Sequence, residues 1–253
     1  MKLFALFATY AAAQDIAEDD VCYSNGVEAP CNPVLARSGR NSGGGDRSIS
    51  GGGERRYQDL KAIASKLWKL NGLTGKDKFD ERKYWAYGCH CYLLGDRPLS
   101  EMGSGAPKDG LDNKCKAFKD CQKCVRDKHG DQCIGEMKKY TWKYAGKRGQ
   151  FESTNMEGSC ERELFQCDLK FAQDTLASID TFNDDFHAFW STRPNGFDNR
   201  DPDNCPSNGG IPVEHQCCGG YDREYHWIGL NKKQCCPASD GNSGIVKDVD
   251  ESC

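Results

Sequence analysis

The chain has 253 residues, 34 Lys and Arg against 38 Asp and Glu, a net charge of −4, and 37% hydrophobic residues with cysteine counted. No apolar run beyond the first residues approaches the roughly 18 that a membrane span needs. Sixteen cysteines suit an oxidising compartment and badly suit the cytosol. The near-neutral total conceals a polarity: residues 54–150 carry 22 basic and 13 acidic side chains, hence +9, while residues 151–253 carry 8 and 19, hence −11. A basic segment joined to an acidic one predicts association with matrix proteins, polyanions, membrane surfaces or other copies of the chain; nothing predicts a nucleic-acid partner.

Residues 1–13 have the plan of a secretory leader, with Lys2, an apolar stretch from Leu3 to Tyr10 and then Ala11 to Ala13. Residues 14–53 are expected to hold a small Cys22–Cys31 loop and a flexible linker, because Gly and Ser crowd the stretch from Ser38 to Gly53. An amphipathic helix from Glu54 to about Leu70 follows from Tyr57, Leu60, Ile63, Leu67 and Trp68. A second helix should start at Asp109 or Asp112, either of which can cap it, and stop near Lys128 before Gly130. The alternating aromatic stretch Met137 to Tyr144 predicts a short hairpin. A third helix is expected from about Asn155 to Ile179. Residues 180–253 read as a separate, irregular, acidic module stapled by cysteines. The cysteines fall into even groups of two, eight and six along the chain, which predicts pairing within each segment, although six cysteines alone permit 15 connectivities.

Chemistry-bearing motifs are scarce. There is no G-x-S-x-G elbow, no H-E-x-x-H pair and no phosphate loop. The acids of Asp198 to Asp203 lack the setting of a calcium loop and read as a solvated turn. One stretch is specific: Tyr87-Gly-Cys89-His-Cys91, then Pro107-Lys-Asp109-Gly-Leu-Asp112, then Cys115-Lys-Ala-Phe118-Lys119-Asp-Cys121, and downstream Cys160-Glu161 and Cys167.

This stretch resembles secreted phospholipase A2, in which Y-G-C-x-C precedes D-x-L-D-x-C-C-x-x-H-D-x-C and a Cys-Asp step lies downstream. The resemblance covers about residues 54–175 and implies a mainly α, disulfide-rich fold with three principal helices, two of them antiparallel and bridged, and a β-wing. It also implies a Cys91–Cys115 bridge, a Cys121–Cys160 bridge, and Glu161 as the counterpart of the aspartate that orients the catalytic histidine. In the family that histidine takes a proton from water, and the next residue, an aspartate, binds calcium. Here Phe118 stands at the histidine and Lys119 at the aspartate. Lys114 replaces the first cysteine of the usual doublet, His90 and Tyr92 alter the metal loop, and about eight residues (Gly95 to Met102) lengthen it.

The expected protein is therefore a domain from 54 to 179 with no catalytic residue, no metal and no cofactor, followed by a tail module from 180. Phe118 should fill the emptied pocket, and Lys119 should pair with Glu161 or Asp112. A structural or binding role in an extracellular matrix has precedent in otoconin-type members of the family. The lysine-for-aspartate venom homologues, which disturb membranes without hydrolysis, supply the alternative. A residual calcium-dependent phospholipase is the third reading.

Overall fold

The structure, a computed structural model, describes residues 21–24, 26–29, 57–93, 98–146, 148–207 and 212–253. The expected leader, the Gly/Ser linker and Cys31 lie outside the described residues.

Helix α1 spans Gln58–Leu70 and buries Leu60, Ile63, Ala64 and Trp68, the stripe that its apolar spacing dictates. Helix α2 spans Gly110–His129; the Asp109 carboxylate accepts from the Asp112 N–H at 2.8 Å to cap it, and Gly130 ends it. Strands β3 (Thr141–Ala145) and β4 (Gln150–Ser153) form the expected hairpin. Helix α3 spans Cys160–Ala177. It starts later than its periodicity suggests because Ser159 is its cap, accepting from the Arg162 N–H at 3.2 Å.

Residues of α2 and α3 meet in a falling series: Lys114 with Asp174, Phe118 with Phe171, Gln122 with Asp168, Lys128 with Glu163. The two helices therefore run antiparallel. Their apolar faces join α1 in one core that includes Leu111, Phe118, Val125, Leu164, Phe165 and Phe171.

Two regions differ from expectation. Residues 21–29 do not stand apart from the rest: β1 (Val21–Ser24) and β2 (Val27–Ala29) extend the hairpin into a four-stranded antiparallel sheet of order β2-β1-β3-β4. Tyr23 lies opposite Trp142 and stacks on it with ring centroids 4.2 Å apart, a cross-strand aromatic pair that fixes the register. The Gly26 N–H donates to Asp59 at 2.7 Å and ties the strands to α1.

The C-terminal segment is the second difference. It is not wholly irregular, for β5 (His215–Gly220) pairs with β6 (Arg223–Gly229), and β7 (Lys233–Pro237) with β8 (Gly244–Asp248). Nor do its cysteines pair only among themselves. Cys89 is bonded to Cys205 and Cys124 to Cys217, across separations of 116 and 93 residues. Successive side chains of a strand point to opposite faces, so each cysteine doublet reaches in two directions. Cys217 bonds helix α2 and Cys218 bonds Cys235; the latter's neighbour, Cys236, bonds Cys253. The doublets are two-sided staples, which grouping along the chain does not reveal.

Candidate functional site

The site lies where α2, α3 and the loop around Cys89 meet. Asp112, fully buried in the first turn of α2, organises the loop: its carboxylate accepts from the N–H groups of Cys89, His90 and Lys108, each at 2.8 Å. Burial raises its carboxyl above the usual range, and those three donors oppose the rise. The loop must pass very close to this carboxylate. Gly88 (φ +55°) allows that passage, since a Cβ there would sit 2.3 Å from the Asp112 carboxyl carbon. Tyr87 donates a very short hydrogen bond to Asp109 from the same turn.

His90 is 2% exposed and is bonded through both ring nitrogens. Its Nδ1 accepts from the Lys119 ammonium at 3.3 Å, and its Nε2–H donates to the Gly105 carbonyl at 3.0 Å. Burial first, and the Lys119 charge second, push its pKa down to about 4. The imidazole is thus neutral at physiological pH, with no lone pair left for a water molecule. Gly103 (φ +78°) lies against it; a Cβ there would come within 2.6 Å of the Cys89 carbonyl oxygen.

One residue before Lys119, the Phe118 ring stacks on Phe171 of α3 with centroids 4.4 Å apart and meets Tyr57 edge-on at 6.2 Å. A turn further on, Gln122 donates to Asp168 at 3.2 Å, and the Tyr140 hydroxyl donates to the other Asp168 oxygen at 2.5 Å. Asp168 is buried on α3, and burial pushes its pKa up to about 8.

Several sequence expectations are corrected here. Cys91 is bonded to Cys115. Cys121, however, is bonded to Cys167 and Cys160 to Cys133, so the expected Cys121–Cys160 bridge does not form. With it goes the role given to Glu161, which lies half-buried in the first turn of α3 beside Cys160. The acid that follows the cysteine facing Cys121 is Asp168, an aspartate as in the family pattern. The Cys167-Asp168 step was visible in the sequence, but Cys160-Glu161 competes with it. Lys119 meets His90, not Glu161 or Asp112. Lys114 makes an ion pair with Asp174 at 3.6 Å, so a charge contact links α2 to α3 where the pattern has a doublet cysteine. The acids of 198–203 are occupied locally: Asp198 accepts from the Arg200 N–H and Asp201 from the Asp203 N–H, each at 2.9 Å.

The C-terminal segment clasps the loop. Gly88 N–H donates to the Phe186 carbonyl at 2.8 Å, Ala188 N–H to the Ala86 carbonyl at 2.9 Å, and the Tyr92 hydroxyl to the Asn199 carbonyl at 3.3 Å. The Cys89–Cys205 bridge locks these contacts.

These residues do not fit a calcium ion at the helix. An ammonium offers three donors and no lone pair, and Lys119 stands where the resemblance implies the metal ligand. What the structure shows is a helical scaffold laced by bridges, with Phe118 packed on Phe171, Lys119 on His90, and the buried Asp168 held by Gln122 and Tyr140.

The comparisons agree with that class of fold. The phospholipase A2 family model matches residues 67–187. The group IID secretory phospholipase A2 of Mus musculus is 32% identical over 124 residues, which is 49% of this chain and 76% of that protein. The basic phospholipase A2 homolog LmutTX of Lachesis muta muta is 33% identical over 110 residues, 44% of this chain and 77% of that protein. Basic phospholipase A2 homolog 2 of Bothrops asper is 28% identical over 128 residues, 49% of this chain and 80% of that protein. The chain belongs to the phospholipase A2 family.

Proposed function

We propose that this chain is a secreted phospholipase A2-family protein that does not hydrolyse lipid and acts as a binding or structural component of an extracellular matrix. The single observation that carries the reading is the pair of replacements on α2: a packed phenyl ring at the base position and, next to it, an ammonium bonded to the one nearby imidazole. A general base contributes about 10²–10⁴-fold, or roughly 3–5 kcal/mol of barrier. A metal at the oxyanion contributes several kcal/mol more. His90 does not substitute as base, since both its nitrogens are engaged. The cysteine content and the secretory relative support an extracellular setting, and the contrast between the +9 and −11 segments supports binding. The division into a phospholipase-like domain (54–179) and an added module (180–253) belongs to the same reading.

The test is hydrolysis of a fluorescent phospholipid with calcium and with chelator. The wild-type chain should give no chelator-sensitive turnover, and calcium-dependent hydrolysis by it would overturn the proposal. A Phe118→His, Lys119→Asp variant measures how much of the machinery survives, since Asp168 lies on the facing helix where the resemblance implies an orienting aspartate. The basic venom homologues among the relatives favour a second reading, membrane perturbation. Leakage of dye from anionic vesicles would support that reading against the matrix role.

A further inference from the structure

The C-terminal strands leave a groove of about 460 Å³ against helix α3. One wall is the stripe Gln166, Leu169, Lys170 and Gln173, whose spacing puts them on one face of α3. The other wall is β8. Ile245 and Val246 send their side chains to opposite faces of the strand, yet both line the groove, as Gly244 does, so it is the strand's edge that borders it. β8 is paired as a strand with β7 alone. The Ala238 N–H donates to the Ser243 carbonyl at 2.9 Å, and the Val249 N–H to the Lys232 carbonyl at 3.2 Å. Bonded pairs alternate along an antiparallel ladder, so Ile245 and Lys247 face β7, whereas Gly244 and Val246 turn their N–H and C=O groups outward. Beyond Val246 the edge is already used: the Asp248 N–H donates to Glu251 at 2.9 Å, and its carbonyl accepts from Gln234 at 2.8 Å.

Charge around the groove is matched except at the Gly244 end. Lys170 pairs with Asp174 at 2.7 Å, and His226 lies 3.2 Å from Glu224. Arg223 is exposed; its Nε–H donates to Ser243 Oγ at 3.1 Å, and the carboxylate of Asp240 is 4.0 Å away. That carboxylate is taken up by Ser243, whose hydroxyl and N–H donate to it at 2.6 and 2.9 Å. Among the described residues the two terminal nitrogens of Arg223 are therefore left for another anion, beside the residue that precedes Gly244.

We propose that this groove binds the carboxyl-terminal end of a partner protein as an added strand antiparallel to β8. Antiparallel pairing is the more stable arrangement, and because β8 runs from Gly244 to Asp248, a strand added in that sense ends beside Gly244. There the Arg223 guanidinium meets its terminal carboxylate in charge-assisted bonds. The incoming main chain pairs with Val246, and an aliphatic side chain near the end of the partner packs between Leu169 and Ile245, which is 37% exposed. A strand edge set beside a helix suits an extended peptide, since main-chain bonds give affinity and the flanking side chains give specificity. This inference rests on the binding role proposed above and states the chemistry of the partner.

The experiment offers the full chain two pools of short fluorescein-labelled peptides, random in sequence, one with free carboxyl ends and one amidated, and measures fluorescence polarisation for the peptides retained. The free-carboxyl pool should yield binders with an aliphatic residue at or next to the last position. Amidating those peptides should weaken them about 10- to 100-fold, the worth of a hydrogen bond to a charged group. Arg223→Gln should cost the free-carboxyl peptides the same factor and leave the amidated ones unchanged. Val246→Pro should abolish binding, because it removes an N–H that β7 does not use, and proline is tolerated on an edge strand with its nitrogen outward. A circular dichroism spectrum checks its fold, and Arg223→Gln, at an exposed position, decides the matter if the proline disturbs the strand. No binder in the free-carboxyl pool, equal binding of the amidated peptides, or binding unchanged in a folded Val246→Pro variant overturns the proposal. A heparin disaccharide bound in place of peptides, and lost in Arg223→Gln, would overturn it in favour of a sulfated polyanion. Failure here leaves the hydrolysis result untouched, and hydrolysis by the wild type leaves the peptide result untouched, so the two readings fall separately.

Discussion

Replacing Phe118 with alanine tests whether the former catalytic position is closed core or open channel. The ring is 4% exposed, stacks on Phe171 at 4.4 Å and meets Tyr57 at 6.2 Å. Truncating a buried phenylalanine costs about 3–5 kcal/mol. About 0.5–1.5 kcal/mol of that belongs to the aromatic pairing, measurable as the coupling in a double-mutant cycle with Phe171→Ala. For a chain of this size each kcal/mol lowers the melting temperature by roughly 2–4 °C, so a fall on the order of 6–20 °C is expected. Urea titration should move the midpoint without changing the slope. Phe118→His should cost less in volume but leave an imidazole nitrogen buried, at about 1–3 kcal/mol if unpaired. A loss below about 1 kcal/mol for Phe118→Ala would mean that the ring borders an accessible channel, and the argument from a filled pocket would fail.

Asp168 titrates in the folded chain near 8, against an ordinary value of 3.8. Between those values the native state holds a proton that the unfolded chain has released, so stability falls as pH rises. His90, held near 4 against 6.5, acts in the opposite sense below 6.5. The window from about 6.5 to 8 therefore isolates Asp168, and Asp168→Asn should flatten the fall in melting temperature across it; an unchanged slope refutes the assignment. Lys119→Met should raise the His90 pKa only in part, read from its ring resonances by NMR, because burial is the larger cause; no movement would show that the ammonium does not face the ring. A non-reducing digest read by mass spectrometry should recover Cys121 with Cys167 and Cys133 with Cys160. A Cys121–Cys160 peptide would return the facing acid to Glu161. The paired Cys89→Ser, Cys205→Ser variant should lose about 2–5 kcal/mol in urea titration, and an unchanged midpoint would deny that the bridge holds the loop.

Much of the site was legible because it is local. Caps, helix faces and the interval from Cys115 to Cys121 depend on neighbours a turn or two apart along the chain, and these sufficed to set Phe118 and Lys119 on one helix and to place the β3–β4 hairpin. The added strands were harder. Val21 to Ala29 gives no sign of its partner, since a strand joins a sheet through backbone groups that every residue carries.

Which cysteine meets which was decided in three dimensions. Cys160 and Cys167 are seven residues apart on α3, hence on one face of the helix, so spacing alone does not say which of them meets Cys121. Only the placement of the two helices selects Cys167 for Cys121 and thereby makes Asp168 the facing acid. The same holds for Cys89 with Cys205 and for Lys119 with His90. The chain's own order states what each residue can offer at short range, whereas partners more than a hundred positions apart are chosen by the packing that brings them together.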